Sequence, residues 1–250
     1  MMRLLILADV HANWEALLSL QRAEPQPDAV LFAGDAVGYG PDPQLCVRWL
    51  LAHATAAVRG NHDDAIGGAA VIGVPPELED AARETLGYAR SMLPPADRER
   101  LAAWPLATTF EIGGASFYVT HGTPIDPLAG TINPATCPEA DLRAMFEGIA
   151  ADVIVLGHTH LPAMRRFGAR VIVNPGSLGQ PRYGAPDATY AIWEDGRVQI
   201  HHLHYDHDAP QNKLRLVRLS PEAVEQLSQT LETGLVQSDG RSARPLDRGR

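Results

Sequence analysis

Short apolar runs that end at once in glycine, aspartate or histidine restrict this fold more than any other feature of the sequence. Three such runs occupy residues 3–8, 29–33 and 54–58, and helical patterns over 14–22 and 43–52 separate them. Continuous apolar runs of this length are typical of strands buried on both faces. The opening of the chain therefore predicts β-α-β-α-β, in which polar residues after the strands meet at one edge of a sheet.

The rest of the chain is richer in strands. After helices predicted at 77–92 and 97–103, alternating or apolar patterns predict strands at 109–112, 116–120, 153–156, 163–167, 170–173, 189–193 and 197–203. Further helices are predicted over 138–150 and from the cap residue Ser220 to about 232. The predicted class is α/β, with two packed mixed β-sheets flanked by helices. We expect a single domain over 1–234, and a polar, disordered tail over 235–250.

Charge and hydropathy exclude several classes of protein. The formal net charge of −9 argues against binding nucleic acid through bulk electrostatics. No apolar run approaches the roughly 20 residues that a membrane span needs. The first residues resemble a strand and lack a signal-peptide cleavage pattern, so we expect a cytoplasmic protein. The sequence is compatible with a homo-oligomer.

Polar residues after the predicted strands form a set with metal-binding chemistry. Its members are Asp9, His11, Asp35, Asn61, His121, His158 and His160. Imidazole with carboxylate and no thiolate suits Mn, Fe, Co, Ni or Zn better than Mg or Ca. Seven ligands are too many for one ion that keeps an open position, but they suit two divalent ions that share a carboxylate. Asp35 is the expected bridge, because it lies alone after the second strand, near the centre of the predicted order.

These residues fall into five short motifs in a fixed order. They are Asp9-x-His11, Gly34-Asp35, Gly60-Asn61-His62-Asp63, His121-Gly122 and Gly157-His158-x-His160. Together they resemble the calcineurin-like metallophosphoesterase superfamily over about residues 3–205. The stretches "GDAVGYGP" and "VNPGSLGQPR" further resemble its small bacterial and archaeal phosphodiesterase branch. The stretch after Gly34-Asp35 departs from the protein-phosphatase pattern.

The resemblance implies a calcineurin-like phosphoesterase fold, a β-sandwich between helices, and assigns roles to the residues. One metal would be held by Asp9, His11, Asp35 and His160, and the second by Asp35, Asn61, His121 and His158. His62 would be the general acid, with a reference pKa of roughly 6.5. We expect the neighbouring Asp63 to steer the His62 ring.

Such a centre predicts hydrolysis of phosphate esters. Water held between two divalent ions can attack phosphorus in line, with the ions about 3.5–4 Å apart. We expect a small phosphate-ester substrate, with phosphodiesters preferred. A phosphomonoesterase, or a nucleotide or diadenosine polyphosphate hydrolase, is the alternative. A non-catalytic interaction scaffold is a minor one.

Several other residues admit two interpretations. Tyr39 either lines the substrate pocket or packs within its turn, and Arg182 either grips a phosphate or forms a salt bridge. Asn174 and Ser177 are expected to fix a turn. The four histidines in "HHLHYDH", residues 201–207, suggest a third metal site. We favour an exposed strand end there, because no other ligand is predicted to converge on it.

Overall fold

The computed structural model describes residues 2–237 and contains two five-stranded sheets. The predicted tail falls mostly on residues 238–250, which lie outside the described residues. In chain order the strands are β1 (Arg3–Leu7), β2 (Ala29–Phe32), β3 (Ala56–Ala57), β4 (Ala107–Ile112), β5 (Ala115–Thr120), β6 (Val153–Val155), β7 (Ala163–Phe167), β8 (Arg170–Asn174), β9 (Ala188–Glu194) and β10 (Arg197–Leu203).

Both sheets are mixed. The first has the order β10-β9-β1-β2-β3, with β1, β2 and β3 parallel and β9 antiparallel to both of its neighbours. The second has the order β4-β5-β6-β8-β7, with β5, β6 and β8 parallel and the two edge strands antiparallel. In each sheet the parallel strands run in one direction, so their carboxyl ends lie at the same end of the sheet. The central strands are β1 and β6.

The helices are α1 (Trp14–Ala23), α2 (Pro43–His53), α3 (Asn61–Ile66), α4 (Glu79–Met92), α5 (Pro95–Ala102), α6 (Glu139–Met145), α7 (Asp208–Leu214) and α8 (Pro221–Thr233). Asn13 and Ser220 cap α1 and α8 through their side-chain oxygens, as predicted. Among the residues described, no helix is both long and apolar enough to cross a bilayer.

Alternation along the strands sorts their side chains between two apolar layers. Leu4 and Ile6 of β1 face the second sheet and pack with Phe117 and Val155. The intervening Leu5 and Leu7 pack against α1 and α2 on the outer face. On the far side, Ile154 and Ile172 pack against residues of α6. The predicted sandwich of two sheets between helices is confirmed.

Two local predictions differ from the structure. The short helices α3 and α7 were not predicted, because six or seven residues are too few to show helical periodicity. The helix predicted over 138–150 ends at Met145, and Gly148 then adopts a positive φ of 77°. Within the β-α-β-α-β unit β2 lies between β1 and β3, as the strand-order argument for Asp35 predicted, although in the complete sheet it is next to the edge strand.

Replacing Phe117 by alanine should destabilise the contact between the sheets. The ring is fully buried, stacks on Phe110 at 5.2 Å and meets the edge of Trp193 from the other sheet at 5.6 Å. We expect the free energy of unfolding to fall by about 3–5 kcal/mol in urea denaturation. Ile125→Ala, at a side chain that is 79% exposed, is the control and should change it by less than about 0.5 kcal/mol. Equal effects of the two changes would contradict this description of the core.

Candidate metal centre

The predicted metal-binding residues come together where the two sheets present their carboxyl ends. Asp9 and His11 follow β1, Asp35 follows β2, and Asn61 begins α3 just after β3. From the second sheet, His121 follows β5, while His158 and His160 follow β6. All seven side chains are buried, with exposures between 0% and 7%.

Ligand atoms within this cluster lie close enough to share cations. Three overlapping groups each place one ligand atom per residue within 4.8 Å of the others, namely Asp9-His11-His160, Asp9-Asp35-His121 and His11-Asp35-His62. The overlap at Asp9, His11 and Asp35 joins them into one continuous site. His62 contributes to the third group although the sequence predicted an acid there and not a ligand.

Backbone carbonyls fix the orientation of three imidazoles. The Nδ1 atom of each ring lies at hydrogen-bond distance from a carbonyl oxygen. The distances are 2.9 Å from His11 to Val37, 2.7 Å from His121 to Ala33 and 2.5 Å from His160 to Gln180. Because a carbonyl oxygen only accepts, each Nδ1 carries the proton. Each Nε2 therefore faces the centre of the cluster, where it offers a lone pair whenever its ring is neutral.

The inward-facing atoms repel one another unless a cation lies among them. The Nε2 atoms of His11 and His160 are 3.1 Å apart, although neither is the protonated nitrogen of its ring. Asp9 Oδ1 lies 3.3 Å from His160 Nε2 and is buried without a hydrogen-bond donor among residues 2–237. A buried charge without a partner is costly, so this donor set fits a divalent ion.

Asp35 lies between the two halves of the cluster. Its Oδ1 accepts the backbone N–H of His62 at 2.9 Å, which leaves Oδ2 facing inward. Oδ2 lies 3.3 Å from His121 Nε2 and 3.6 Å from His11 Nε2. Asn61 Oδ1 also lies 3.1 Å from His121 Nε2, while its amide nitrogen donates to the carbonyl of Ile72.

His158 lies at the rim of the cluster and belongs to none of its three close groups. Its backbone N–H donates to Asp9 Oδ2 at 3.1 Å, and its ring meets that of His121 edge-on at 5.1 Å. Gly73 lies against the same ring, where an added Cβ would be 2.9 Å from His158 Cε1. His158 thus positions Asp9 through the backbone and closes one side of the site.

The His62 ring is held by packing and not by Asp63. It packs against the rings of Tyr39 and His11, at centroid distances of 4.6 and 4.9 Å, and those two rings also contact each other. The Asp63 carboxylate instead accepts backbone N–H groups of Asp35, Ala36 and Gly60 at 2.8, 2.9 and 3.1 Å. The predicted steering contact from Asp63 to the ring is therefore wrong, because both carboxylate oxygens are occupied by the loop that carries Asp35.

Tyr39 and Arg182 lie together at the site. The guanidinium of Arg182 covers the Tyr39 ring at 5.4 Å and donates to Gln180 Oε1. Within residues 2–237 no carboxylate pairs with Arg182, so the salt bridge considered from the sequence is not formed. Tyr39 is only 3% exposed and packs against the histidines.

The turn after β8 supplies contacts that the sequence indicated only in part. Asn174 Oδ1 accepts the N–H of Gly176 and Ser177 Oγ accepts the N–H of Gln180, so the expected turn roles are confirmed. Ser177 Oγ also donates to the carbonyl of Asp9 at 2.7 Å. Gln180 was missed, although its carbonyl orients His160. No side-chain pattern marks such a contact, because the backbone makes it.

The backbone is strained at the ligand positions. Asp9, His11, Asp35, His158 and His160 have positive φ angles of 54°, 45°, 65°, 69° and 57°. Side-chain-bearing residues adopt this region rarely, and such residues concentrate at functional sites. With these φ angles the backbone bends sharply after each strand, and the side chains face the centre of the cluster.

Burial and mutual charge shift the titration of the cluster. Burial lowers the pKa of His62 and of His158 to about 4, and it raises the pKa of Asp9. Burial alone would also lower the pKa of His121, but the adjacent Asp35 carboxylate outweighs it and raises that pKa to about 9. One proton on His121 thus stands where a cation would, and we expect metal binding to release it.

Comparison with known proteins identifies the family. Residues 2–195 match the calcineurin-like phosphoesterase superfamily domain, so the chain belongs to this family of metal-dependent phosphoesterases. The metallophosphoesterase of Sphaerobacter thermophilus is 30% identical, with a TM-score of 0.74 over 91% of this chain and 98% of that one. This membership confirms the resemblance drawn from the five motifs.

Two further relatives extend the comparison. A probable metallophosphoesterase of Mycoplasma pneumoniae is 23% identical over 83% of this chain and 100% of its own length. A hypothetical protein of Pyrococcus horikoshii has the same fold, with a TM-score of 0.79, 21% identity and coverage of 94% and 99%.

His158→Asn should make the metal-free protein less sensitive to acid. The unfolded state binds a proton at His158 below pH 6.5, whereas the native state does so only below about pH 4. The wild type therefore loses stability across this window as the pH falls, and the variant escapes that loss. In urea titrations with chelator, we expect the variant to gain up to about 3 kcal/mol relative to wild type.

The matched control is His53→Asn, at an exposed histidine on α2. Its free energy of unfolding should run parallel to that of the wild type. A His158→Asn curve that is also parallel would contradict the burial of an uncharged imidazole at this position.

Proposed function

We propose that this chain hydrolyses phosphodiesters with two divalent metal ions, of Mn, Fe, Ni, Co or Zn, bound in the buried cluster. The proposal depends on one observation, the convergence of the imidazole Nε2 atoms of His11, His121 and His160 on the carboxylates of Asp9 and Asp35. One ion would be bound by Asp9, His11, Asp35 and His160, and the other by Asp35, Asn61, His121 and His158. The 30% identity to a metallophosphoesterase supports this assignment.

Divalent ions in such a site supply Lewis acidity toward the phosphate and activate water near neutral pH. Neighbouring residues of the chain hold the proposed metal ligands in position. Asp63 holds the loop of Asp35 through two of its amides, and Ser177 holds the backbone of Asp9. Contacts that support metal ligands in this way commonly change metal affinity about 10–100-fold when lost.

His62 is the proposed general acid. Its backbone N–H binds the Asp35 carboxylate, so its ring lies beside the shared ligand. Burial lowers the pKa of His62 to about 4 in the protein without substrate. A phosphate ester brings negative charge next to the ring and favours its protonated form. The acid is thus charged mainly when there is a leaving group to protonate.

Arg182 is the proposed contact to the outer phosphate oxygens. It extends over the Tyr39 ring without a carboxylate partner in the described part of the chain. Its guanidinium N–H groups donate to a neutral amide oxygen, that of Gln180. A planar guanidinium in this state is suited to bidentate phosphate binding.

His62→Ala should retain both metals and lose most of its rate with a poor leaving group. A positioned acid contributes about 10²–10⁴-fold, and a leaving group that departs without a proton needs it least. Steady-state rates on esters of graded leaving-group pKa, with metal content measured on the same samples, test this. Exposed His53→Ala is the control. Loss of metal from His62→Ala would instead make His62 a ligand, as its proximity to His11 and Asp35 allows.

The substrate class is tested with bis-p-nitrophenyl phosphate and p-nitrophenyl phosphate, each assayed with added Mn²⁺. We expect a higher kcat/KM for the diester and loss of both activities after chelation. A higher value for the monoester would support the phosphomonoesterase alternative. Bound metal without hydrolysis of either ester would support the scaffold alternative.

A further inference from the structure

The hairpin of β9 and β10 ends beside a second cluster of possible metal ligands. Ala188 pairs with Leu203 at the end of the hairpin, so Asp187 and His204 leave the sheet opposite each other. His207 follows at the N-terminus of α7. One ligand atom from each of Asp187, His204 and His207 lies within 4.8 Å of the others.

This arrangement corrects the sequence-based expectation that nothing converges on residues 201–207. Asp187 is distant in sequence from the histidines, and only the strand register brings it to them. His201 and His202 remain outside the cluster, because their rings stack on Tyr190 and bond to Tyr183 respectively.

Asp187 and His204 are hydrogen-bonded to each other, whereas His207 has a ring nitrogen without a partner in the described part of the chain. His204 Nδ1 lies 3.1 Å from Asp187 Oδ1. The His207 ring hydrogen-bonds to the backbone of Pro186, and its Nε2 is buried without a hydrogen-bond partner among the residues that the structure describes. A hydrogen bond to a carbonyl at one ring nitrogen leaves the lone pair on the other. His207 Nε2 therefore has a lone pair with which it could bind a cation.

The backbone between the two histidines is held in place. Tyr205 is 3% exposed and its hydroxyl accepts a hydrogen bond from Asn13. Asp206 Oδ1 accepts the N–H groups of Asp208 and Ala209 at the start of α7. The backbone that carries His204 and His207 therefore has little conformational freedom to lose when the two side chains bind a common ion.

We propose that Asp187, His204 and His207 bind one divalent transition-metal ion, separate from the central site. Two imidazoles and one carboxylate suit Zn²⁺ and its neighbours, and three protein ligands leave a coordination position for water. The side chains of His204 and Asp187 are 81% and 38% exposed, so the ion would enter directly from solvent. It would link the start of β9 to the turn that leads into α7.

The test compares wild type with His204→Ala, His207→Ala and the matched control His202→Ala. Each is equilibrated by dialysis against Zn²⁺ alone, and the bound zinc is counted by atomic emission. Wild type and His202→Ala should bind about one more zinc ion per chain than the two cluster variants. Far-UV circular dichroism and phosphoesterase activity should be alike in all four, since none of these residues belongs to the central site.

Equal zinc content in all four proteins would overturn the proposal, and so would an equal loss in His202→Ala, which would indicate diffuse binding by the histidine-rich strand. The proposal is separable from the proposed function. A protein without phosphoesterase activity, or without central metals, would still show the difference between wild type and His204→Ala.

Discussion

Three backbone carbonyls decide where the imidazoles of the central site point. By holding the Nδ1 proton of His11, His121 and His160, they turn three Nε2 atoms toward two buried carboxylates. In the absence of a cation these atoms are mutually repulsive neighbours, as the 3.1 Å approach of two Nε2 atoms shows. The fold therefore stores unfavourable electrostatics at one edge, which metal binding relieves.

The same edge also carries backbone strain, and the surrounding packing maintains it. Residues with positive φ cost about 1–3 kcal/mol each and persist only where their neighbours overdetermine them. Asp35 is such a residue, with φ of 65°, and its loop is held by the Asp63 carboxylate and by close contact with Gly60. A side chain at position 60 would collide with the Asp35 carboxylate, so glycine there is a requirement of the ligand geometry.

Strands and ligand types could be predicted from sequence because both are local. Apolar runs located β1 and β6, and the five motifs at the strand ends identified the seven buried side chains of the central cluster. The hydrogen bonding of Asp63 and the carbonyl of Gln180 could not be predicted, because they depend on how distant loops meet. For the same reason the sequence could not show the strand register that places Asp187 opposite His204, and residues 201–207 were interpreted as an exposed strand end.

Net charge and local charge act in opposite directions in this protein. The chain carries a formal charge of −9, so its long-range field repels polyanions. Its single lysine, Lys213, is already paired with Glu15 and Asp42, whereas Arg182 at the site has no carboxylate partner within residues 2–237 and donates to the amide oxygen of Gln180. Attraction for phosphate must therefore come from the site itself and act over a few ångströms. That balance supports the proposed preference for small phosphate esters, which can enter the site without bringing an extended anionic chain against a protein of net negative charge.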